Sequence, residues 1–222
     1  MTLAARESLA YPETLPTRLV PDLLDRFQKV DYLQVFDTGF AVPETIDHFV
    51  SRKCRLHFSA AYELLQNPPV ATSSKRDGRL IDKKAQDQAL YQAWRERFDQ
   101  TLDFPQGTRF DLCFFWDFFN YTDDIALKAF SDSLSPYLKD SAVGHAYVLL
   151  KEGHPVLHRS FGVAAKDEIV VRPAHWQALP AYARPQARVT SMLQDFRVNH
   201  SVLRRDGLLE ISLKAQLANT QP

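Results

Sequence analysis

The stretch that most constrains this chain is Leu33-Gln34-Val35-Phe36-Asp37-Thr38-Gly39, which runs straight into Phe40-Ala41-Val42-Pro43-Glu44. An apolar, β-prone run closes on an acid and a glycine, and a proline stands where a helix begins. That order spells the first strand, tight turn and helix of a doubly wound α/β domain. Strand carboxyl ends and a helix N-terminus converge at such a turn, and ligands are held there. A loop that cradles a nucleotide usually carries several glycines, so that its backbone can close on the ligand. Here Gly39 stands alone in the loop with bulky Phe40 beside it, and the whole chain has only 7 glycines. The stretch therefore specifies a fold more firmly than it specifies a working site.

The rest of the chain continues the same grammar. Cys54 to Phe58 reads as a second strand, and Phe110-Asp111-Leu112-Cys113-Phe114-Phe115-Trp116-Asp117, the most apolar run, reads as a central strand buried on both faces. Ala142 to Leu150 is a further strand. Helices are expected from Pro43 to Arg52, from about Tyr62, and over 81–99, where Leu90, Trp94 and Phe98 recur every four residues. Another follows a cap at Asp123 or Asp124, with Leu127, Phe130 and Leu134 on its apolar stripe. Residues 151–185 are rich in turns and hold a short strand at Ile169–Val171. The end reads as a hairpin: Phe196, Val198, His200 and Val202 point inward, Asp206-Gly207 turns the chain, and Leu209, Ile211 and Leu213 alternate against outward Glu210, Ser212 and Lys214.

This organisation divides the chain into an arm with a short helix (1–29), an α/β domain (30–217) with an inserted basic loop at 67–79, and a tail (218–222). Pro12 and Pro16 interrupt the arm, and Pro21 opens its helix. The loop carries Lys75, Arg76 and Arg79 and is expected to be mobile. Basic and acidic residues balance at 27 each, which argues against a general nucleic-acid binder. Met1 to Ala10 lacks an apolar segment, and no run is long enough to span a bilayer, so a cytoplasmic protein with no membrane span is expected. Cys54 and Cys113 lie in strand-like runs and read as free buried thiols. No cysteine and histidine set has zinc spacing, so no metal is expected. His145 and His200 read as core or edge histidines in strands, and His154 and His158 are separated by Pro155 in a pattern that opposes a helix.

Laid out in this order, residues 30–215 resemble class I S-adenosylmethionine-dependent methyltransferases. Val35-Phe36-Asp37-Thr38-Gly39 looks like the first cofactor motif, Leu102-Asp103-Phe104-Pro105 like the approach to the fourth strand, Trp116-Asp117-Phe118-Phe119-Asn120-Tyr121 like that strand's functional end, and the terminal hairpin like the pair that closes the sheet. The resemblance implies a Rossmann-like, seven-stranded, mostly parallel sheet with an antiparallel C-terminal hairpin. The strand at 33–37 would be central between 54–58 and 110–116. It also implies S-adenosylmethionine as cofactor, held near Asp37, Thr38, Gly39, Phe40, Ser59, Ala60, Trp116 and Asp117.

The departures from the family's pattern bear on that cofactor. The motif stands as Asp37, Gly39, Ala41 and Pro43, without its second and third glycines. The second strand ends in Phe58-Ser59-Ala60-Ala61, with no acid to accept two hydrogen bonds from the ribose. No proline follows Asp117 or Asn120, which argues against methylation of nucleobase amino groups. Asp37 either faces the methionine end of a cofactor or caps its own turn. Asp117 either faces the cleft or serves as a turn acid. Trp116, Phe118 and Phe119 favour core filling over walling a ligand. No general base can be named. These features favour a pseudoenzyme that binds S-adenosylmethionine weakly or not at all and uses its surface to bind a protein or small-molecule partner, with homo-oligomerisation left open. The alternative is an active transferase that methylates a small molecule or a protein.

Overall fold

The apolar runs pair as one large sheet. A computed structural model describes residues 12–59, 61–70, 83–153, 159–174 and 177–216. Ala60, most of the expected loop (71–79), His154, His158 and the tail from 218 lie outside the described residues. In chain order the elements are β1 (Glu13–Pro16), α1 (Val20–Asp25), β2 (Leu33–Asp37), α2 (Pro43–Val50), β3 (Cys54–Phe58), α3 (Ala61–Gln66), α4 (Lys83–Thr101), β4 (Phe110–Trp116), α5 (Asp124–Leu134), β5 (Leu138–Leu149), β6 (Arg159–Ala165), β7 (Glu168–Pro173), α6 (Gln186–Met192), β8 (Phe196–Leu203) and β9 (Leu208–Ala215). A 3₁₀ turn follows β4 at Phe118–Tyr121, and a second follows α5 at Ser135–Tyr137.

The large sheet runs β3-β2-β4-β5-β9-β8. The pairs β2/β3, β2/β4 and β4/β5 are parallel, and β5/β9 and β8/β9 are antiparallel. This is the expected mostly parallel α/β sheet, with 33–37 between 54–58 and 110–116 and the final hairpin at one edge. Among the described residues it has six strands where seven are expected. Strands β1, β7 and β6 form a separate antiparallel sheet, so the expected strand at Ile169–Val171 belongs to β7 and pairs with Glu13–Pro16 on one side and β6 on the other.

Alternation along the strands builds two cores. Phe36, Phe110, Cys113 and Phe115 face a layer of α3, α4, α5 and α6, where Trp94 and Phe98 stack at 5.4 Å. Leu33, Val35, Leu112, Phe114 and Trp116 face α1, Phe49 of α2, and the small sheet, which contributes Phe161, Val163, Ile169 and Val171. β4 lies between both layers and is buried at every position, which is why it reads as an apolar run interrupted only by Asp111, whose carboxylate accepts the Gln34 N–H at 3.0 Å and pairs with Lys139 at 2.7 Å. Asp123 caps α5 by accepting the Ala126 N–H at 2.7 Å. Buried Arg184 ties the start of that helix to the loop before α6: its guanidinium donates to Asp124 at 2.7 Å, to the Phe119 carbonyl at 2.8 Å and to the Thr122 carbonyl.

The hairpin departs from its expected alternation in two places. His200 is exposed, because the β8/β9 register shifts between Val198 and His200 and turns the later side chains over. Glu210 and Ser212 are buried rather than outward, because α1 and the segment after β1 cover that face of β9. Gly207 makes the turn with φ of 80°, as its place after Asp206 predicts.

Candidate functional site

Strand order alone marks where a ligand site of this fold would lie. From β2 the chain passes outward to β3 across α2, then returns past β2 to β4 across α3 and α4 on the opposite face. The direction of winding reverses between β2 and β4, and ligands of open α/β sheets bind outside the carboxyl ends at that reversal. The carboxyl ends there are Asp37-Thr38-Gly39 and Trp116-Asp117.

Asp37 is 2% exposed. Its Oδ1 accepts the Gly39 N–H at 2.7 Å and the Trp116 indole N–H at 2.8 Å. Its Oδ2 is buried with no partner among the described residues. Burial raises the carboxyl, and the two N–H donors offset part of that, leaving it at about 7. The Thr38 hydroxyl donates inward to the carbonyls of Phe114 and Phe115 at 3.3 and 3.1 Å. Buried Ser59 donates its N–H to the Asp37 carbonyl at 2.9 Å and its hydroxyl to the Thr38 carbonyl at 3.5 Å. Phe40 is partly buried and packs on the helix-side core.

Trp116 is fully buried over this turn. A Cβ built on Gly39 would lie 3.0 Å from Asp37 Oδ1 but at an ordinary contact distance, 3.6 Å, from the indole Cδ1, so the glycine makes room for the Asp37 carboxyl that caps the turn. The ring lies parallel to Phe114 at 4.8 Å and to Phe161 of β6 at 5.7 Å, with His145 edge-on at 5.6 Å. Its backbone has φ of 49°, the one positive value at a non-glycine among the described residues. For a bulky residue that conformation costs about 1–3 kcal/mol.

On the helix side Asp117 accepts hydrogen bonds from the Tyr62 hydroxyl at 2.7 Å and the Tyr121 hydroxyl at 2.9 Å. Burial raises its carboxyl to about 6 despite those donors. Burial and the adjacent carboxylate push both phenols up. Asn120 donates to the Tyr147 carbonyl at 3.1 Å and accepts the Leu149 N–H at 2.8 Å, tying the 3₁₀ turn to β5. Phe118 and Phe119 are core.

The small sheet roofs the start of α2. Val163 N–H donates to Thr45 Oγ1 at 3.0 Å, Arg172 pairs with Glu44, and a Cβ on Gly162 would come within 2.7 Å of Thr45 Oγ1 and 3.0 Å of Val42 Cγ1. Below Trp116, His145 Nε2 lies 3.1 Å from Glu210, whose Oε1 also accepts from the Thr17 hydroxyl and the Leu19 N–H. Burial would raise Glu210, but these donors outweigh it and hold the carboxyl at about 2.

The geometry thus brings together Asp37, Thr38, Gly39, Ser59 and Trp116, sets Asp117 in a separate phenol-bonded cluster, and turns Phe40 to the helix-side core. Tyr62, Phe161, His145 and Glu210 join the site without a local sequence signal. They arrive through crossovers and an inserted sheet. Among the described residues no group of histidine, cysteine and acidic side chains has the make-up of a metal site, and no helix is long and apolar enough to cross a membrane.

No family model matches the sequence, and no curated protein matches it. Solved structures similar to it include several methyltransferases. A putative type 11 methyltransferase from Sulfolobus solfataricus is 13% identical, over 94% of this chain and 98% of that one, with a TM-score of 0.47. An S-adenosylmethionine-dependent methyltransferase from Clostridium acetobutylicum is 10% identical over 88% and 90%, with a TM-score of 0.44. The 1,6-didemethyltoxoflavin-N1-methyltransferase of Burkholderia thailandensis, solved with S-adenosylhomocysteine, is 12% identical over 89% and 77%, with a TM-score of 0.43. At these values the assignment of fold rests on the strand order and register above, and the assignment of function on the site.

Proposed function

We propose that this chain is a methyltransferase-like protein that binds S-adenosylmethionine weakly or not at all and acts by binding a partner. The observation that carries the reading is the Trp116 indole lying over Gly39 with its N–H on Asp37. The residues at the strand reversal do not fit the cofactor. Asp37 Oδ1 serves its own turn and Trp116, the Thr38 and Ser59 hydroxyls point to main-chain carbonyls, and β6 roofs the start of α2. A partner role draws support from a groove of about 810 Å³ between α4, α5 and α6, where Tyr91, Ile125 and Met192 lie among Lys83, Lys128 and Arg188. Asp87 and Asp124 line it too, and Lys128 and Arg188 are paired with Asp132 and Asp124, so the groove suits an apolar contact with a polar rim of both signs.

Calorimetric titration with S-adenosylmethionine and S-adenosylhomocysteine tests the reading. The expected dissociation constants are weaker than about 0.1 mM. Micromolar binding that Asp37→Ala abolishes would replace this reading with that of an active transferase methylating a small molecule or a protein. One observation favours that second reading: a buried carboxyl, Asp117, held by two phenols at the end of β4, where a substrate proton could be received.

A further inference from the structure

We propose that the space filled by the Trp116 indole is a binding slot for a flat heteroaromatic molecule with an N–H on its edge, and that Trp116 is its resident, displaceable occupant. The slot has the parts of a ligand site. Two phenyl rings, Phe114 and Phe161, lie parallel to the indole at 4.8 and 5.7 Å, with interplanar angles of 7° and 12°. Flat π systems are held by such walls whatever their substituents. At the edge, Asp37 Oδ1 accepts the ring N–H at 2.8 Å. Its Oδ2 is buried and lacks a partner among the described residues, so above about pH 7, where the carboxyl is ionised, an occupant with two adjacent N–H groups satisfies an acceptor that the indole leaves orphaned.

Two further features make the occupant displaceable rather than fixed. The backbone of Trp116 is strained at φ of 49°, so withdrawing the ring lets the residue return to an ordinary conformation. Phe161 sits on β6, the edge strand of the small sheet, which is held to α2 by the Val163–Thr45 hydrogen bond, while the half-exposed Arg172–Glu44 pair ties the neighbouring β7 to α2. That edge can lift without breaking a hydrogen bond of the six-stranded sheet.

The first test uses Trp116→Gly, since glycine is at home at this φ and leaves the slot without its ring. Indole at millimolar concentration should raise the melting temperature of this variant by about 5 °C and leave the native chain unchanged. Benzothiophene, the same shape without the N–H, should do less than half as well, and the difference should vanish in the Trp116→Gly, Asp37→Ala double variant. Equal effects of the two compounds, or no effect of either, overturn the proposal. The second test uses the native chain and does not depend on that variant folding. The sequence has 3 tryptophans, so 5-fluorotryptophan labelling gives few ¹⁹F resonances, and the one lost in Trp116→Phe is that of Trp116. Titration with 2-aminobenzimidazole, which carries two adjacent N–H groups, should move that resonance alone. A resonance that stays in place at saturating concentration, or that moves together with the others, overturns displaceability.

Discussion

Asp37 and Glu210 are both buried carboxyls, and they respond to pH in opposite senses. Asp37 holds its proton up to about pH 7 in the folded chain, against an ordinary value of 3.8. The folded state therefore binds more protons than the unfolded state between those values. Its contribution is complete below about pH 4 and is lost as pH rises through 7. Asp117, at about 6, acts in the same direction over a narrower range. An Asn at 37 keeps an acceptor for Gly39 and Trp116 without burying a charge. Asp37→Asn should be more stable than the native chain by about 2–4 kcal/mol at pH 8 and nearly equal to it at pH 4, measured by urea denaturation at both. Glu210, lowered to about 2 from 4.5, contributes stability present above pH 4.5 and lost as pH falls through 2. Glu210→Ala should cost about 3–5 kcal/mol at pH 7, because it leaves the Thr17 hydroxyl and the Leu19 N–H buried without their acceptor. Neither carboxyl could be assigned this way from sequence. Asp37 was legible as a strand-end acid that caps its own turn or meets a ligand, and it does cap Gly39. Glu210 sits at an outward position of an alternating strand, and only a segment 191 residues away in sequence, covering that face, makes it inward.

At the scale of elements, the parts legible in sequence are those fixed by local periodicity. β2, β3, β4, α2 and the β8–β9 hairpin all lie where apolar spacing and turn residues put them. The small sheet was half legible: β7 shows as a β-prone run, but β1 contains a proline and owes its strand to pairing with β7. The same reason hides Phe161 from any local reading. β6 packs so closely on α2 that Gly162 has no room for a larger side chain. Gly162→Val should lower stability by about 1–3 kcal/mol. It should also make Trp116 more accessible to acrylamide quenching, since Phe161 would be pushed off its neighbour. Unchanged quenching alongside lost stability would show that β6 and the indole move independently. Arg184 is the opposite case, a buried cation with four acceptors in a stretch that reads only as turns. Arg184→Ala should cost about 2–4 kcal/mol in thermal or chemical unfolding, by freeing the start of α5.

Across the whole molecule, two layers meet on a strand that neither layer can release. Hydrogen exchange should be slowest in β4, which is buried at every position, and fastest among the strands in β1, whose four residues pair with β7 alone. Comparable protection in both would mean that the small sheet opens only with global unfolding. The pairing of β1 also has a consequence for how the chain is made. Thr17 and Glu210, which hydrogen-bond in the finished protein, are 193 residues apart. On the ribosome, Glu13–Pro16 leaves the exit tunnel long before β7 or β9 exists, so this segment has to wait while β2, β3 and β4 collapse on one another. The aromatic chamber around Trp116 is then shut late in synthesis. A nascent chain passes through an interval in which its cleft stands open, and a chaperone or small molecule present during translation meets a site that the completed protein keeps covered.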